Sequence, residues 1–161
     1  LLARELARGA EGAQVEILPL AGLRAAPCLG CDTCMQRPDH RCVQKDDMQM
    51  ICDKLAWADG VVMASPLYFA GISAQLKAVL DRTYAFYSQL AGKTFCFLVT
   101  CAAPDDALTE TMLASLRGFT CRVPEAVEGG VILGTNANDA GDIRNSPAMA
   151  QAYQLGRDLA E

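Results

Sequence analysis

Two hydrophobic periods alternate along this chain. Leu1, Leu2 and Leu6 recur at helical spacing until Gly9 and Gly12 interrupt them, and Gln14 to Leu20 (QVEILPL) then alternates apolar with polar residues, which predicts a strand. Asp46-Asp47-Met48-Gln49 has the form of a helix N-terminus, with Asp46 at the cap and Gln49 three residues on, so a helix is predicted from there to about Trp57. Gly60 to Ala64 (GVVMA) is a continuous apolar run of strand length, the pattern of a strand covered on both faces. A helix is predicted from Ser73, because Leu76, Val79, Leu80 and Thr83 fall at i, i+3, i+4 and i+7. Phe95 to Thr100 reads as the next buried strand. Ala107 to Phe119 reads as a helix with Leu108, Met112, Leu113 and Leu116 inward, and Val127 to Leu133 as a further strand after a turn at Pro124. Ser146 to Leu159 closes the series as a helix with Pro147 in its first turn, where a missing N–H costs nothing.

Strand and helix alternate throughout, the signature of an α/β fold with a parallel sheet and helices on both faces. With 161 residues, 52% of them hydrophobic, the chain is long enough for one core and short for two, so residues 1–161 are read as a single domain. Two stretches escape the periodic pattern: the cysteine-rich loop at 27–45 and Gly134 to Asn145. Irregular segments of that length in compact folds tend to be functional.

Composition narrows the function. A net charge of −5, without a basic patch or interleaved aromatic and basic residues, argues against a nucleic-acid partner. An anionic ligand then has to be held locally, by backbone N–H groups at loops and helix starts. The longest nearly apolar run, Phe95 to Ala103, is about half of what a membrane-spanning helix requires, so no membrane partner is expected. The opening LLARELARGA reads as amphipathic helix without a cleavage site, and a cytoplasmic protein is expected. Eight cysteines in that compartment favour metal or redox chemistry over a disulfide framework. Cys52, Cys96, Cys101 and Cys121 stand apart in apolar surroundings and are expected in the core.

The other four, Cys28, Cys31, Cys34 and Cys42, form C-x2-C-x2-C-x7-C. Three sulfurs spaced three residues apart, with a fourth returning later, suit the corners of an iron–sulfur cube, and the match to known ferredoxin spacing is partial. Zinc, with the lone His40 beside the fourth cysteine, and metal-free thiols are the competing readings. At the predicted strand ends, Ser65-Pro66-Leu67-Tyr68-Phe69-Ala70-Gly71 joins a proline turn to two aromatics and a glycine. That composition offers amide N–H groups and a stacking edge to a flat heteroaromatic ring, and Thr100-Cys101-Ala102-Ala103 supplies small residues that let such a ring approach the backbone. An ordinary strand-to-helix connection with two core aromatics is the plain alternative. No Ser/His/Asp arrangement, G-x-G-x-x-G or P-loop run is present, so any catalysis is expected to be carried by a bound redox cofactor.

Taken in order, Pro27 to Cys34 (PCLGCDTC), Cys42 to Met48 (CVQKDDM), Ala58 to Val62, Ser65 to Phe69, Ala74 to Lys77, Asp81-Arg82, Gly141 to Ile143 and Ala152 to Gly156 resemble the flavodoxin-like NAD(P)H-dependent FMN reductases, and within them the iron–sulfur flavoproteins. The resemblance spans nearly the whole chain. It implies a doubly wound five-stranded parallel sheet, with FMN over the strand ends contacted by Ser65, Pro66, Leu67, Tyr68 and Phe69 and by Thr100, Cys101 and Ala102, to which the residue pattern of the first loop adds Gly71. It also implies a [4Fe–4S] cluster on Cys28, Cys31, Cys34 and Cys42 close to the flavin, with NAD(P)H as possible co-substrate and a homodimer or homotetramer as the assembly. Such proteins begin with a strand and a glycine–serine-rich loop that cradles the FMN phosphate, whereas Leu1 falls inside the helix that follows them. The first strand is therefore expected to be missing from this sequence, leaving strand edges and apolar surface uncovered, and no phosphate ligand is named.

The function this implies is an FMN-dependent oxidoreductase that passes electrons between NAD(P)H or a small carrier protein and an acceptor. A cluster-free flavin or quinone reductase is the alternative enzyme, and a zinc- or thiol-based sensor without flavin the alternative of another class. Tyr84, Phe86 and Tyr87 are candidates to close over the ring or to form a subunit contact, or are plain core aromatics.

Overall fold

The computed structural model describes residues 1–104 and 108–161. Among the described residues six α-helices and three strands follow one another: α1 (Leu2–Gly9), α2 (Thr33–Gln36), α3 (Met48–Trp57), β1 (Gly60–Pro66), α4 (Ala74–Arg82), β2 (Thr94–Thr100), α5 (Thr109–Thr120), β3 (Val127–Gly134) and α6 (Pro147–Ala160). The strands are parallel in the order β1-β2-β3, with Gly60 opposite Thr94 and Pro66 opposite Thr100. Between β2 and β3 the register slips at Phe95 and Cys96, where Gly129 is the extra residue.

Successive side chains of a strand point to opposite faces. On the central β2, Phe95, Phe97 and Val99 pack with Met48 and Ile51 of α3, Val79 and Leu80 of α4 and Leu113 and Leu116 of α5. Cys96 and Leu98 face the other way, onto Leu2 and Leu6 of α1 and Ala152 and Leu155 of α6. Helices thus cover both faces, the doubly wound flavodoxin-like arrangement expected. Ser73 and Ser146 cap α4 and α6, their hydroxyl oxygens accepting from Leu76 N (3.3 Å) and Ala148 N (3.2 Å). No described helix is long and apolar enough to cross a membrane.

Three expectations fail locally. Gln14 to Pro19 joins no ladder, and Val15 and Ile17 are each 45% exposed. A strand needs a neighbour for its N–H and C=O groups, and none of the three described strands pairs with this segment. Its inner residues Leu18 and Leu20 still pack on the core, and Glu16 pairs with Lys54 of α3 at 2.5 Å, a surface contact of small energetic weight. The capping box at Asp46 does not form: Asp47 is the cap residue of α3, its carboxylate accepting from Arg24 N at 2.7 Å and not from the helix, and Gln49 Nε2 donates to Asp53 Oδ1 at 2.9 Å. Ala107 lies outside the described residues, α5 starts at Thr109, and Leu108, expected inward, is half exposed because it precedes the first helical turn.

Candidate functional site

Cys28, Cys31, Cys34 and Cys42 line one cavity of about 350 Å³. The chain turns around it through left-handed backbone at Gly30 (φ 63°), Asp32 (φ 57°) and His40 (φ 50°). Glycine adopts that region freely, and the polar Asp and His are among the few other residues found there. The loop is anchored at its rim by Gln44 Nε2 donating to Pro27 O at 3.1 Å and by a fork from Arg37 to Asp39 at 2.9 and 2.7 Å. His40 also lines the cavity. Among the described residues, no three Cys, His, Asp or Glu side chains are gathered closely enough to hold one metal ion. Zinc needs all its donors about 2.0–2.3 Å from one point. An iron–sulfur cube presents separated corners, and the four thiols line one cavity without meeting at a point.

Beneath the loop lies a buried cation that nothing in the local sequence pattern marks. Arg82, at the end of α4, has a side chain only 1% exposed and clamps Asp46 with both Nη atoms, at 2.5 and 2.9 Å. Nη1 also donates to Ala26 O at 3.2 Å. Asp46 in turn accepts from the backbone N–H groups of Ala26 and Met48, at 3.1 and 3.2 Å. Burial pushes the Asp46 carboxyl up, but Arg82 and these two amides outweigh it and hold it below the ordinary 3.8. Arg82 Nε is buried and has no hydrogen-bond partner among the described residues. The Cys42 thiol lies beside the guanidinium and helps to keep it charged against its burial, without satisfying Nε.

Cys52 of α3 is a fifth thiol on the cavity wall, half-buried where a core position was expected. Cys96 and Cys101 are buried as expected, but Cys121 is exposed at the end of α5. Burial, and then Asp53, pushes the Cys52 thiol up to about 12 from an ordinary 9.0, so it carries roughly a thousandfold less thiolate at neutral pH. Burial likewise raises Cys34, with Cys42 adding to it, and pushes Cys96 to about 11. Hydrogen bonding from Thr33 lowers Cys31. Reduced, metal-free protein treated with iodoacetamide at pH 8 is therefore expected to be labelled at Cys31 well before Cys34, with Cys52 and Cys96 last. Mass spectrometry of timed samples checks the order; fast labelling of Cys52 contradicts it.

The strand-end residues form a second constellation. Leu67 N donates to Thr100 O at 2.8 Å and ties the ends of β1 and β2 together. Ser65 is buried, its Oγ accepting from Ser73 N (2.9 Å) and donating to Pro66 O (2.8 Å), so its hydroxyl locks the loop to the start of α4. Tyr68 and Gly71 exchange two backbone hydrogen bonds of 3.0 Å around Phe69 (φ 47°) and Ala70 (φ 59°). Tyr68 and Phe69 are not core aromatics: they are 63% and fully exposed. Left-handed backbone at a non-glycine residue costs about 1–2 kcal/mol, and such strain collects at ligand clamps. Ala70→Gly is expected to raise stability by about 1 kcal/mol in thermal unfolding; a loss would show that the turn is not strained. Cys101 N donates to Gly134 O (3.0 Å) and its carbonyl accepts from Ala137 N (2.9 Å), which packs the irregular Gly134 to Asn145 stretch against Thr100 to Ala103. Ala102 is exposed. None of the residues Ser65 to Gly71 or Thr100 to Ala102 lines the cysteine cavity. Phe86 is core, as one of its readings had it, while Tyr84 is exposed at the cavity edge.

Over 85 residues the chain is 41% identical to an iron-sulfur flavoprotein of Methanocaldococcus jannaschii, covering 52% of this chain and 43% of that protein. Over 72 residues it is 38% identical to an iron-sulfur flavoprotein of Methanosarcina thermophila, covering 45% and 37%. These matches span less than half the length of the curated relatives. Among solved structures, a NAD(P)H:quinone oxidoreductase from Methanothermobacter marburgensis superposes with a TM-score of 0.73 at 16% identity, over 99% of this chain and 87% of that one. The Trp repressor binding protein from Bacillus subtilis gives 0.70 at 17%, over 96% and 88%, and both likenesses concern the fold alone. The sequence pattern of the NADPH-dependent FMN reductases matches residues 1–128, and the chain belongs to that family.

Proposed function

We propose that this protein is an FMN-dependent oxidoreductase of the iron–sulfur flavoprotein kind, passing electrons between NAD(P)H or a small carrier protein and an acceptor. Residues 1–161 act as one domain, with FMN at the joined ends of β1 and β2 and a [4Fe–4S] cluster on Cys28, Cys31, Cys34 and Cys42. The observation that carries this reading is the convergence of those four thiols on one cavity with a buried guanidinium in its wall, in a chain whose relatives are named iron-sulfur flavoproteins.

Bound FMN supplies hydride acceptance and the release of electrons one at a time. The chain's part is position. The Leu67–Thr100 hydrogen bond fixes the spacing of the two strand ends, Tyr68 and Phe69 offer aromatic surface to a flat ring, and Ala102 leaves room for close approach. Exposed aromatics at Tyr68, Phe69 and Tyr84 also suit burial in a homodimer or homotetramer. A cytoplasmic setting fits the exposed thiols of Cys28 and Cys31. A cluster-free flavin or quinone reductase is the second reading, favoured by thiols that are not gathered around one point.

An absorption spectrum of full-length protein purified without oxygen tests both. Flavin bands with a broad brown shoulder, the shoulder alone being lost with its iron in Cys31→Ser, support the first reading. Flavin bands without a shoulder support the second. Protein that is colourless and refuses added FMN overturns both.

A further inference from the structure

The irregular stretch from Gly134 to Asn145 has no part in the function proposed above, yet it is held firmly at the ligand end of the sheet. Asn136 N donates to Ala103 O at 3.0 Å and Ala137 N to Cys101 O at 2.9 Å, so the pairing of β2 with β3 continues past both strands into the loops that follow them. Ala137 and the buried Ile143 join the core formed by α1 and α6, and a Cβ built on Gly134 would fall 2.3 Å from Ile143 Cδ1, which keeps that bend for glycine. Asp142 Oδ2 accepts from the N–H groups of Asn138 (3.0 Å) and Asp139 (2.8 Å) and closes the far turn. Between these anchors Asn136 is exposed, in left-handed backbone (φ 57°). Among the described residues its carboxamide makes one long hydrogen bond, from Nδ2 to Thr135 Oγ1 at 3.5 Å.

Ligands of doubly wound sheets bind beyond the carboxyl ends of the strands, and this amide stands there, tied through its own backbone to the Thr100 to Ala103 loop. A left-handed corner alone is served equally well by glycine. Asparagine adds one acceptor and two donors at a fixed place. We propose that Asn136 is a binding residue for the imide edge of the flavin, the C=O, N–H, C=O side of its pyrimidine ring, with Oδ1 accepting from the ring N–H and Nδ2 donating to a neighbouring ring carbonyl. The inference rests on the FMN reading above and deepens it, adding the end of β3 to those of β1 and β2. A carboxamide pairs in this two-point manner with any adjacent donor and acceptor on a flat ring, as it does with adenine. A site built to bond a ligand N–H also rejects the analogue that lacks it, because its own polar group is then left unpaired.

The test compares FMN with 3-methyl-FMN, in which a methyl group replaces the imide hydrogen. Full-length protein freed of flavin by dialysis is titrated with each, and binding is read from the quenching of flavin fluorescence. Wild-type protein is expected to bind 3-methyl-FMN about tenfold more weakly than FMN. Asn136→Gly, which keeps the left-handed corner without the amide, is expected to bind FMN about tenfold more weakly than wild type and to bind both flavins alike. Asn138→Ala, two residues on, is expected to keep the wild-type preference. That pattern supports the inference, since general loosening of the loop would weaken both flavins and leave their ratio in place. A wild type that binds both alike overturns it, as does a preference that survives in Asn136→Gly or is lost in Asn138→Ala. Should Asn136→Gly fail to fold, Asn136→Asp decides, because aspartate suits the same backbone but has no hydrogen to donate. FMN binding about tenfold weaker in that variant supports, and unchanged binding overturns. A wild type that binds neither flavin defeats the FMN reading and this inference with it, whereas FMN binding without the preference defeats only this inference.

Discussion

Asp46→Ala is expected to lower the unfolding free energy of the protein by about 3–5 kcal/mol, the largest single effect of any side-chain truncation near the cysteine loop. The substitution leaves Arg82, whose side chain is 1% exposed, as a buried charge without its counter-ion. It also strips the acceptor from the Ala26 and Met48 amides, which ties the loss to the approach of the cysteine loop and to the start of α3. An exposed pair of the same geometry, such as Arg117 with Glu128 at 2.8 Å, is expected to matter far less when broken, because water replaces the partner. Urea unfolding of the two truncations, Asp46→Ala and Glu128→Ala, checks the contrast; equal losses would show that burial of the Asp46 pair carries no extra weight.

The same pair sets an acid limit. The Asp46 carboxyl is held below its ordinary value in the folded protein, so its contribution is complete above about 3.8 and is lost as pH falls through the depressed folded value. Stability is thus expected to decline below pH 4 in the wild type and to decline less steeply in Asp46→Ala. A parallel decline would assign the acid sensitivity to other carboxylates.

Gly156→Ala is expected to destabilise by about 3 kcal/mol or more, at the upper end of what an overpacked site costs. A Cβ built on Gly156 falls 2.0 Å from the Leu6 carbonyl oxygen, and one built on Gly9 falls 2.0 Å from that of Tyr153. The obstacles are backbone, which cannot rotate aside, so α1 and α6 would have to separate and uncover Leu2, Leu6, Ala152 and Leu155. Gly118, exposed in α5 with nothing near its added Cβ, is the matched control. Gly118→Ala is expected to stabilise by about 0.5–1 kcal/mol through helix propensity alone. If Gly156→Ala behaves like the control, the close packing of α1 on α6 is not what holds that face of the sheet.

Much of the scaffold was readable before any coordinates. The apolar runs at Gly60, Phe95 and Val127 form three parallel strands, and the spacing of Leu76, Val79 and Leu80 seats α4 on the core. These features are local: one helical turn or one strand decides which face is apolar, whatever the rest of the chain does. The cysteine spacing was local too, and the four thiols do share a cavity. Gln14 to Leu20 shows where the argument stops, since alternation states that a segment suits a ladder but not that a neighbour is there to pair with it.

By itself, then, the order of residues determined the α/β layering, the three ladder-forming runs and the four thiols as a candidate ligand set. Only the tertiary structure decided what lies around those thiols. It brought Arg82 across 36 residues onto Asp46, turned Cys52 into the same cavity, and kept the joined ends of β1 and β2 out of that cavity. The physical reason is that short-range periodicity records which way a side chain points from its own element. Which element it then meets depends on how helices settle on a sheet, and a buried arginine at the end of α4 looks in the sequence like any exposed one.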